Sequence, residues 1–478
     1  MVGLKRGKGL TERVHAGKVR QNFKMKKKIA IIVGNSLIAR NYIVTNTFEN
    51  IEEEYNCILY ANKKTISSED KKQLLEGNRF KQYTMSRSLG LISQIMNDAN
   101  MYKQINKSKS FQYRINRKLK PRRTQKLKSI KQIRERINLL IYRLTVYCIS
   151  KNILLQSAVK KTIEIIVKRE ELYKILKNEK YSTIIVPTMG SQAELDITGF
   201  MQEEADRTKD NRVNIVWLFD NWDNLSSKTV NTFKAKACSV WGEQSKLHAM
   251  SIQGYQEKQI WTLGTPRFEK YYKEQETKKR IMRERKQINY ILFCGVALDY
   301  DERKVINKIA DWSRDQSKKV KILYRPHPWG ERYQNAITCK YDELVELDKS
   351  TLKKNTKDGI YDTEKYIELI NNADLVIGGS TSMLIEAAIL KKKYILLAHK
   401  ENGGRSPYES LIGYEHIGVA TGLSNIKVCY DLDRLPEAIE QTKDLRIEEN
   451  DTILNYIITK ECSRYKDNLR NKILSILE

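Results

Sequence analysis

Ala373 to Leu390 reads ADLVIGGSTSMLIEAAIL, and the fold turns on how this stretch divides. Leu375, Val376 and Ile377 make an apolar run of strand length, Gly378-Gly379-Ser380-Thr381-Ser382 a tight turn of small residues, and Met383 to Leu390 a helix. Strand, small-residue turn and helix in that order form a seat for an anion. Backbone N–H groups approach it closely, the helix start adds partial positive charge, and the hydroxyls of Ser380, Thr381 and Ser382 donate. Glu386, one turn into the helix, disfavours a phosphate but suits a ribose diol. Earlier, Tyr324 to Gly330 reads YRPHPWG. Ile322 to Tyr324 is again a short buried strand, and it delivers Arg325 and His327 between two prolines that hold the backbone extended. Ligands of open α/β sheets bind beyond the carboxyl ends of strands, so both stretches are expected to face one crevice. Each has a plainer reading, a common strand-to-helix turn and a rigid surface turn. Their joint occurrence, each behind an apolar strand, favours the anion site.

The same pattern continues outward. Ile29 to Val33 reads as a first strand, with Gly34-Asn35-Ser36 as its turn into a helix near Leu37, and Cys57 to Tyr60 as a second strand. Ser182 to Val186 leads through Pro187-Thr188-Met189-Gly190-Ser191 into a helix from Gln192, and Asn214 to Phe219 ends on DNWDNLSSK, Asp220 to Lys228. Strands at Val240 and Ile260 follow, then Thr265-Pro266-Arg267-Phe268 breaks the pattern. The expected division is a disordered basic arm at 1–27, a first α/β domain at 28–268, a linker at 269–287, a second α/β domain at 288–435 and terminal helices at 436–478. Length agrees, since 478 residues suggest two to four domains.

Charge is the most unusual feature of the composition. The net +29 resembles a nucleic-acid signature until it is located. Residues 1–28 hold ten Lys/Arg against one Glu, and residues 101–180 hold twenty-three against five, so these two segments carry +9 and +18 of the total. Residues 101–180 therefore read as a basic helical insertion in the first domain. Within it Leu127, Ile130, Ile133, Ile137, Leu140 and Leu144 recur at helical spacing. Such a stripe either packs on its own domain with the charges solvated, or docks on an anionic membrane face. Nucleic acid is the poorer partner, because the aromatics here make no stacking platform. Seven cysteines lie scattered without a C-x-x-C pair, which suits a reducing compartment and no structural zinc. No apolar run reaches membrane-spanning length, and Lys26-Lys27-Lys28 before IAIIVG opens a strand instead of a leader. A cytoplasmic protein on the inner face of the membrane is expected.

Two α/β domains with a phosphate seat in the second suggest a nucleotide-dependent enzyme of two Rossmann-like domains, the GT-B architecture. The order GTPRFE, YRPHP and AD-x-V-I-G-G-S-T-S-M-x-x-E-A resembles bacterial capsule and surface-carbohydrate glycosyltransferases and the CDP-glycerol glycerophosphotransferase family. Their patterns are G-x-P-R-x-D, R-x-H-P and a double-hydroxyl turn. DNWDNLSSK and VWGEQSK are similar to other surface-carbohydrate proteins, and the matches together span Asp220 to Ala388. Glu269 departs from the first pattern, and Gly378-Gly379 replaces a polar pair common in CDP-polyol enzymes. Glu386, by contrast, is what sugar-nucleotide transferases of this architecture use for the ribose.

The resemblance implies a glycosyl, or alternatively a polyol-phosphate, donor carried on a nucleotide and a glycan or lipid-linked acceptor. Arg267, Arg325, His327, Ser380, Thr381, Ser382 and Glu386 are then expected to hold the nucleotide and its phosphates. Fixed cations make a metal unnecessary, and Asp299-Tyr300-Asp301, which has the D-x-D form of metal-dependent transferases, reads better as a helix cap. No cofactor is expected. The acceptor hydroxyl needs a base in the first domain. Glu194, Asp220 and Asp223 are candidates, with Asp223 first because Trp222 and Asn224 beside it look like a ligand wall; His327 joins the catalytic set. Gly34, Asn35 and Ser36 complete the acceptor side. A UDP-sugar 2-epimerase, which uses the same architecture, remains the rival reading.

Overall fold

The computed structural model describes residues 27–64, 80–119, 130–189, 191–210, 212–278, 290–296, 298, 300–327, 343–348, 363–401 and 406–477. The arm before residue 27, Thr65 to Gln73, Pro121, Leu127, Gly190, Asp299, Trp329 and residues 279–287 of the expected linker lie outside them.

Two all-parallel sheets carry the fold. The first is ordered β3-β2-β1-β4-β5-β6-β7. Its strands are β1 (Lys28–Val33), β2 (Asn56–Asn62), β3 (Phe80–Tyr83), β4 (Thr183–Thr188), β5 (Asn214–Phe219), β6 (Ala237–Val240) and β7 (Ile260–Thr262). The second runs β10-β9-β8-β11-β12-β13, from β8 (Tyr290–Cys294), β9 (Lys321–Arg325), β10 (Val345–Leu347), β11 (Leu375–Gly378), β12 (Lys393–Leu397) and β13 (Ile426–Cys429). The expected α/β class with two Rossmann-like domains is what the chain forms.

The continuous apolar runs follow from burial on both faces. Along β1, β4 and β5, Ala30, Ile32, Ile184, Val186 and Trp217 enter one core, while Ile29, Ile31, Ile185, Val216 and Leu218 enter another on the opposite face. In the second sheet Leu292, Val376 and Leu396 alternate in the same way with Ile291, Ile377 and Leu397. Strand order reverses between β1 and β4 in one sheet and between β8 and β11 in the other, which opens a crevice at the carboxyl end of each pair.

The helical insertion extends beyond its expected start. The helical insertion begins at Arg87, with α1 (Arg87–Lys103), α2 (Lys109–Leu119), α3 (Ile130–Lys151) and α4 (Ile153–Val167) all lying in the β3-to-β4 crossover. Sequence reading put its start at 101 because α1 carries little charge. The expected linker begins as a helix, in keeping with its composition. Helix α5 (Gln192–Thr208) follows β4, and α6 (Glu269–Lys278) buries Tyr271 and Tyr272 in the second domain's core beside Leu384 and Ala387. The last helix, Tyr465–Leu477, returns to the first domain, where Tyr465, Leu469 and Ile473 share a core with Ile29 and Leu218. Lys466 and Arg470 fasten it to Glu49 and Glu54. The chain thus crosses between domains twice.

Candidate active site at the strand ends

At the second switch point the glycine pair is a steric requirement. A Cβ on Gly379 would stand 2.9 Å from Val296 Cγ1, and one on Gly378 would strike the Tyr394 hydroxyl, which donates to Gly379 O at 3.0 Å. The turn that follows commits two of its three hydroxyls internally. Thr381 Oγ1 accepts from Met383 N at 3.3 Å, and Ser382 Oγ donates to Glu386 Oε1 at 3.3 Å. Ser380 Oγ is buried without a hydrogen-bond partner among the described residues. The following helix, Met383–Ile389, is only seven residues long. Its dipole sums few peptide units, so the hydroxyls and nearby cations matter more than the sequence reading allowed. Glu386, 5% exposed, also accepts from the Tyr271 hydroxyl of α6 at 3.2 Å. Burial first, then the Glu386 charge, holds the Tyr271 phenol well above its ordinary range.

Arg325 is not the open phosphate grip that its position suggested. Its Nη1 donates to Asp348 Oδ2 at 2.9 Å, with both side chains under a tenth exposed, and its guanidinium lies 3.8 Å from the centre of the Tyr366 ring. The charge is therefore committed to a buried pair. His327 follows on the extended segment after β9. Burial, and then the Arg325 charge, depress its imidazole below the ordinary value. That shift favours the neutral imidazole, a hydrogen-bond donor or acceptor, of the two roles its position allowed. Glu302, at the start of the helix Glu302–Arg314, accepts from Val296 N at 2.8 Å and from the Tyr324 hydroxyl, locking the turn after β8 to β9. Asp301 caps that helix by accepting from Arg303 N at 3.1 Å, as its position predicted.

Between the domains stands Arg267. The turn that carries it is fixed from both sides. Thr265 Oγ1 donates to Asp220 Oδ1 at 2.8 Å, and Gly264, at φ +84°, brings the backbone so close to Cys462 that a Cβ would lie 2.6 Å from the sulfur. The Arg267 guanidinium packs 4.5 Å from the Phe268 ring centre and 5.1 Å from that of Trp241. Its Nε and Nη2 are buried with no hydrogen-bond partner among the described residues. Its charge acts on Asp220 in the first domain and on Tyr271, the partner of Glu386, in the second.

At the first switch point Gly34, Asn35, Thr188, Met189, Ser191 and Glu194 line a shared recess. Asn35 caps the turn after β1 by accepting from Ile38 N at 3.0 Å, and Ser36 begins that short helix. Glu194 is buried in the first turn of α5. Its Oε1 accepts from the Tyr83 hydroxyl at 3.0 Å and from Asn62 Nδ2 at 3.3 Å, and stands 3.4 Å from the place of a Gly34 Cβ. Burial raises its carboxyl above the ordinary range, and the two hydrogen bonds pull it only partly back.

The ligand wall expected around Asp223 is instead a buried seam. Asn224–Lys228 forms one turn of π-helix, and Asp223 Oδ1 accepts from Lys228 Nζ at 2.9 Å. Burial acts to raise the Asp223 carboxyl, but Lys228 and His416 outweigh it and hold the group low, which makes it a weak proton acceptor. Trp222 is 4% exposed, stacks on Trp241 and meets His416 of the second domain edge-on at 4.9 Å. Asn224 is fully buried and donates to Thr188 O at 3.2 Å. Asp220 is fully buried as well, held by Asn41 and Thr265.

The structure thus links Arg267 through Tyr271 to Glu386 and Ser382, places Glu194 in a recess of its own, and turns Asp220, Trp222, Asp223 and Asn224 inward. Tyr271, Tyr366, Asp348, Tyr83 and Asn62 went unread in the sequence. Each comes from an element edge or a short strand with no motif of its own, and only the buried carboxylate or guanidinium that it serves gives it meaning.

No protein-family model matches the chain, and no curated protein matches it. Solved structures similar to it include the Methanocaldococcus jannaschii UDP-GlcNAc 2-epimerase crystallised with UDP-GlcNAc and UDP, at 13% identity over 94% of this chain and 99% of that one, TM-score 0.47. The lipopolysaccharide outer core galactosyltransferase WaaB is 12% identical over 94% and 99%, TM-score 0.45. A glycosyltransferase from Rickettsia africae is 11% identical over 95% and 98%, TM-score 0.43. A likeness at this level assigns neither an activity nor a residue role.

Proposed function

We propose that the chain transfers a glycosyl group from a nucleotide-activated donor to a hydroxyl of a surface polysaccharide or lipid-linked glycan. The observation that carries this reading is Arg267, a guanidinium held between the domains with two buried nitrogens that no described residue fills. A buried donor without a partner costs stability, and an anionic ligand removes that cost while gaining charge-assisted hydrogen bonds. In this reading it and the Ser380 hydroxyl, which no described residue occupies, meet the negative charge that develops when the bond to a nucleotide phosphate breaks. Glu386 takes the ribose hydroxyls, and Glu194 accepts the proton of the attacking hydroxyl. A polyol-phosphate donor would use the same anion seat.

Incubation with CMP-, CDP-, UDP- and GDP-sugars and with CDP-glycerol, with nucleotide release assayed with and without a glycan acceptor, tests the proposal. Release that needs an acceptor is expected. Turnover of a UDP-sugar to its epimer without acceptor would replace the transferase reading by the 2-epimerase one. Arg267→Ala should weaken donor binding about 10- to 150-fold, the worth of one or two hydrogen bonds to a charged group. Unchanged binding by calorimetry would remove Arg267 from the site. The proposal also includes independence from metal, with the Arg267 guanidinium supplying the charge that a phosphate-bridging ion would. Activity should persist in EDTA, and loss that Mg²⁺ or Mn²⁺ restores would overturn this part.

A further inference from the structure

The helical insertion presents an apolar face that the described residues leave exposed. Helix α3 is apolar on two opposite sides. One buries Val146 and Ile149 in the core that also holds Met96 and Ala99 of α1. On the other, Ile133, Ile137, Leu140, Ile141 and Leu144 are 47% to 64% exposed. At about 100° per residue these five fall within a sector of about 100°, with Arg134 on one edge and Arg136 and Arg143 on the other. Glu135, the acid of this helix, points away from the sector. After Asn152, the first turn of α4 adds Ile153 and Leu154, 67% and 77% exposed. Isolated exposed apolar side chains need no explanation, but a continuous set bordered by cations does.

The acids of the insertion are already engaged elsewhere. Glu179 pairs with Lys28 and Lys81, Glu170 and Glu171 accept from Ser86 and Thr84, and Glu164 faces Arg207. Of the twenty-three Lys/Arg of residues 101–180, Lys160, Lys168 and Lys177 pair with Glu203 and Glu204 of α5, and against the five Glu of the same segment the net charge is +18.

We propose that this face of α3 and the first turn of α4 docks on an anionic lipid bilayer. The apolar strip enters the boundary between headgroups and acyl chains, and the flanking arginines meet lipid phosphates. Charge complementarity selects this occupant. A second copy meeting the same face would set arginine against arginine, and nucleic acid would leave the exposed isoleucines and leucines without a partner. The docking stands whatever reaction the crevice catalyses, so its failure and that of the transferase reading are separable.

Co-sedimentation of the full chain with phosphatidylcholine vesicles, and with the same vesicles containing phosphatidylglycerol, tests it, alongside light scattering of the free protein. Two variants are compared: Ile137→Ser with Leu140→Ser and Leu144→Ser, and Arg134→Gln with Arg136→Gln. All five side chains are exposed, so both variants should keep the wild-type circular dichroism. Wild type is expected on anionic vesicles only. The serine variant should lose at least tenfold in partitioning, and the glutamine variant roughly 25-fold, about fivefold for each arginine. Equal partitioning of wild type and the serine variant would overturn the proposal. So would a wild-type dimer that the serine substitutions dissolve while vesicle binding stays unchanged.

Discussion

Arg325→Ala is expected to lose about 3–5 kcal/mol of folding stability, and any loss of activity should follow from that. Arg325 and Asp348 are 7% and 8% exposed and joined at 2.9 Å, so removing the guanidinium leaves a carboxylate buried without its counter-charge. The pair spans the ends of adjacent strands, since β10 pairs with β9 along Val345 to Leu347 and Asp348 N donates to Tyr324 O at 2.8 Å. Loss of the guanidinium from the Tyr366 ring adds to the cost. Urea unfolding of Arg325→Ala, of Asp348→Ala and of Arg325→Met with Asp348→Leu separates the terms. The single variants should each be strongly destabilised, and the double apolar variant should recover much of the loss, since a buried pair is worth little against well-packed apolar residues. An Arg325→Ala protein with a wild-type midpoint and a large drop in nucleotide affinity would return Arg325 to the phosphate.

This reassignment marks the limit of what the sequence makes legible. The strand-turn-helix grammar around Gly378 and Gly379, the strand that ends at Arg325 and the two-domain plan all follow from local periodicity and turn chemistry, which short-range sequence records. What Arg325 touches depends on Asp348, at the end of a three-residue strand that no periodicity announces. Trp222 and Asp223 failed as a ligand wall for a related reason. Their loop follows a strand end, where ligands bind, yet it curls into a π turn and is covered by His416 from the other domain. Exposure of a strand-end loop is a property of the domain pair, and one domain's sequence does not contain it. The apolar stripe of α3 was legible in its spacing, but which of its sides the fold would bury was not.

Glu194→Gln is expected to lower the turnover rate about 10²- to 10⁴-fold, the range for loss of a positioned general base, while leaving the protein at least as stable. The two effects have one cause. Burial disfavours the ionised carboxyl more than the Tyr83 and Asn62 bonds favour it, so the group stays protonated to a higher pH than an ordinary glutamate. A base with a raised pKa is a stronger proton acceptor once ionised. The rate should therefore rise as pH climbs through the folded-state pKa, and this limb should vanish in the variant. Stability runs the other way. The folded state binds this proton more tightly than the unfolded chain, whose glutamate titrates near about 4.3. The contribution is fully present below that pH and is lost as pH rises through the folded pKa. Glutamine keeps an oxygen for Tyr83 and Asn62 to reach and has no charge to bury, so it should flatten this slope. Asp223→Asn gives the contrast. Its carboxylate is held low by Lys228, so its loss should cost stability with little change in the pH dependence of the rate. A Glu194→Gln protein that turns over at the wild-type rate with the same acid limb would remove Glu194 from the chemistry and leave it as a buried support for Tyr83.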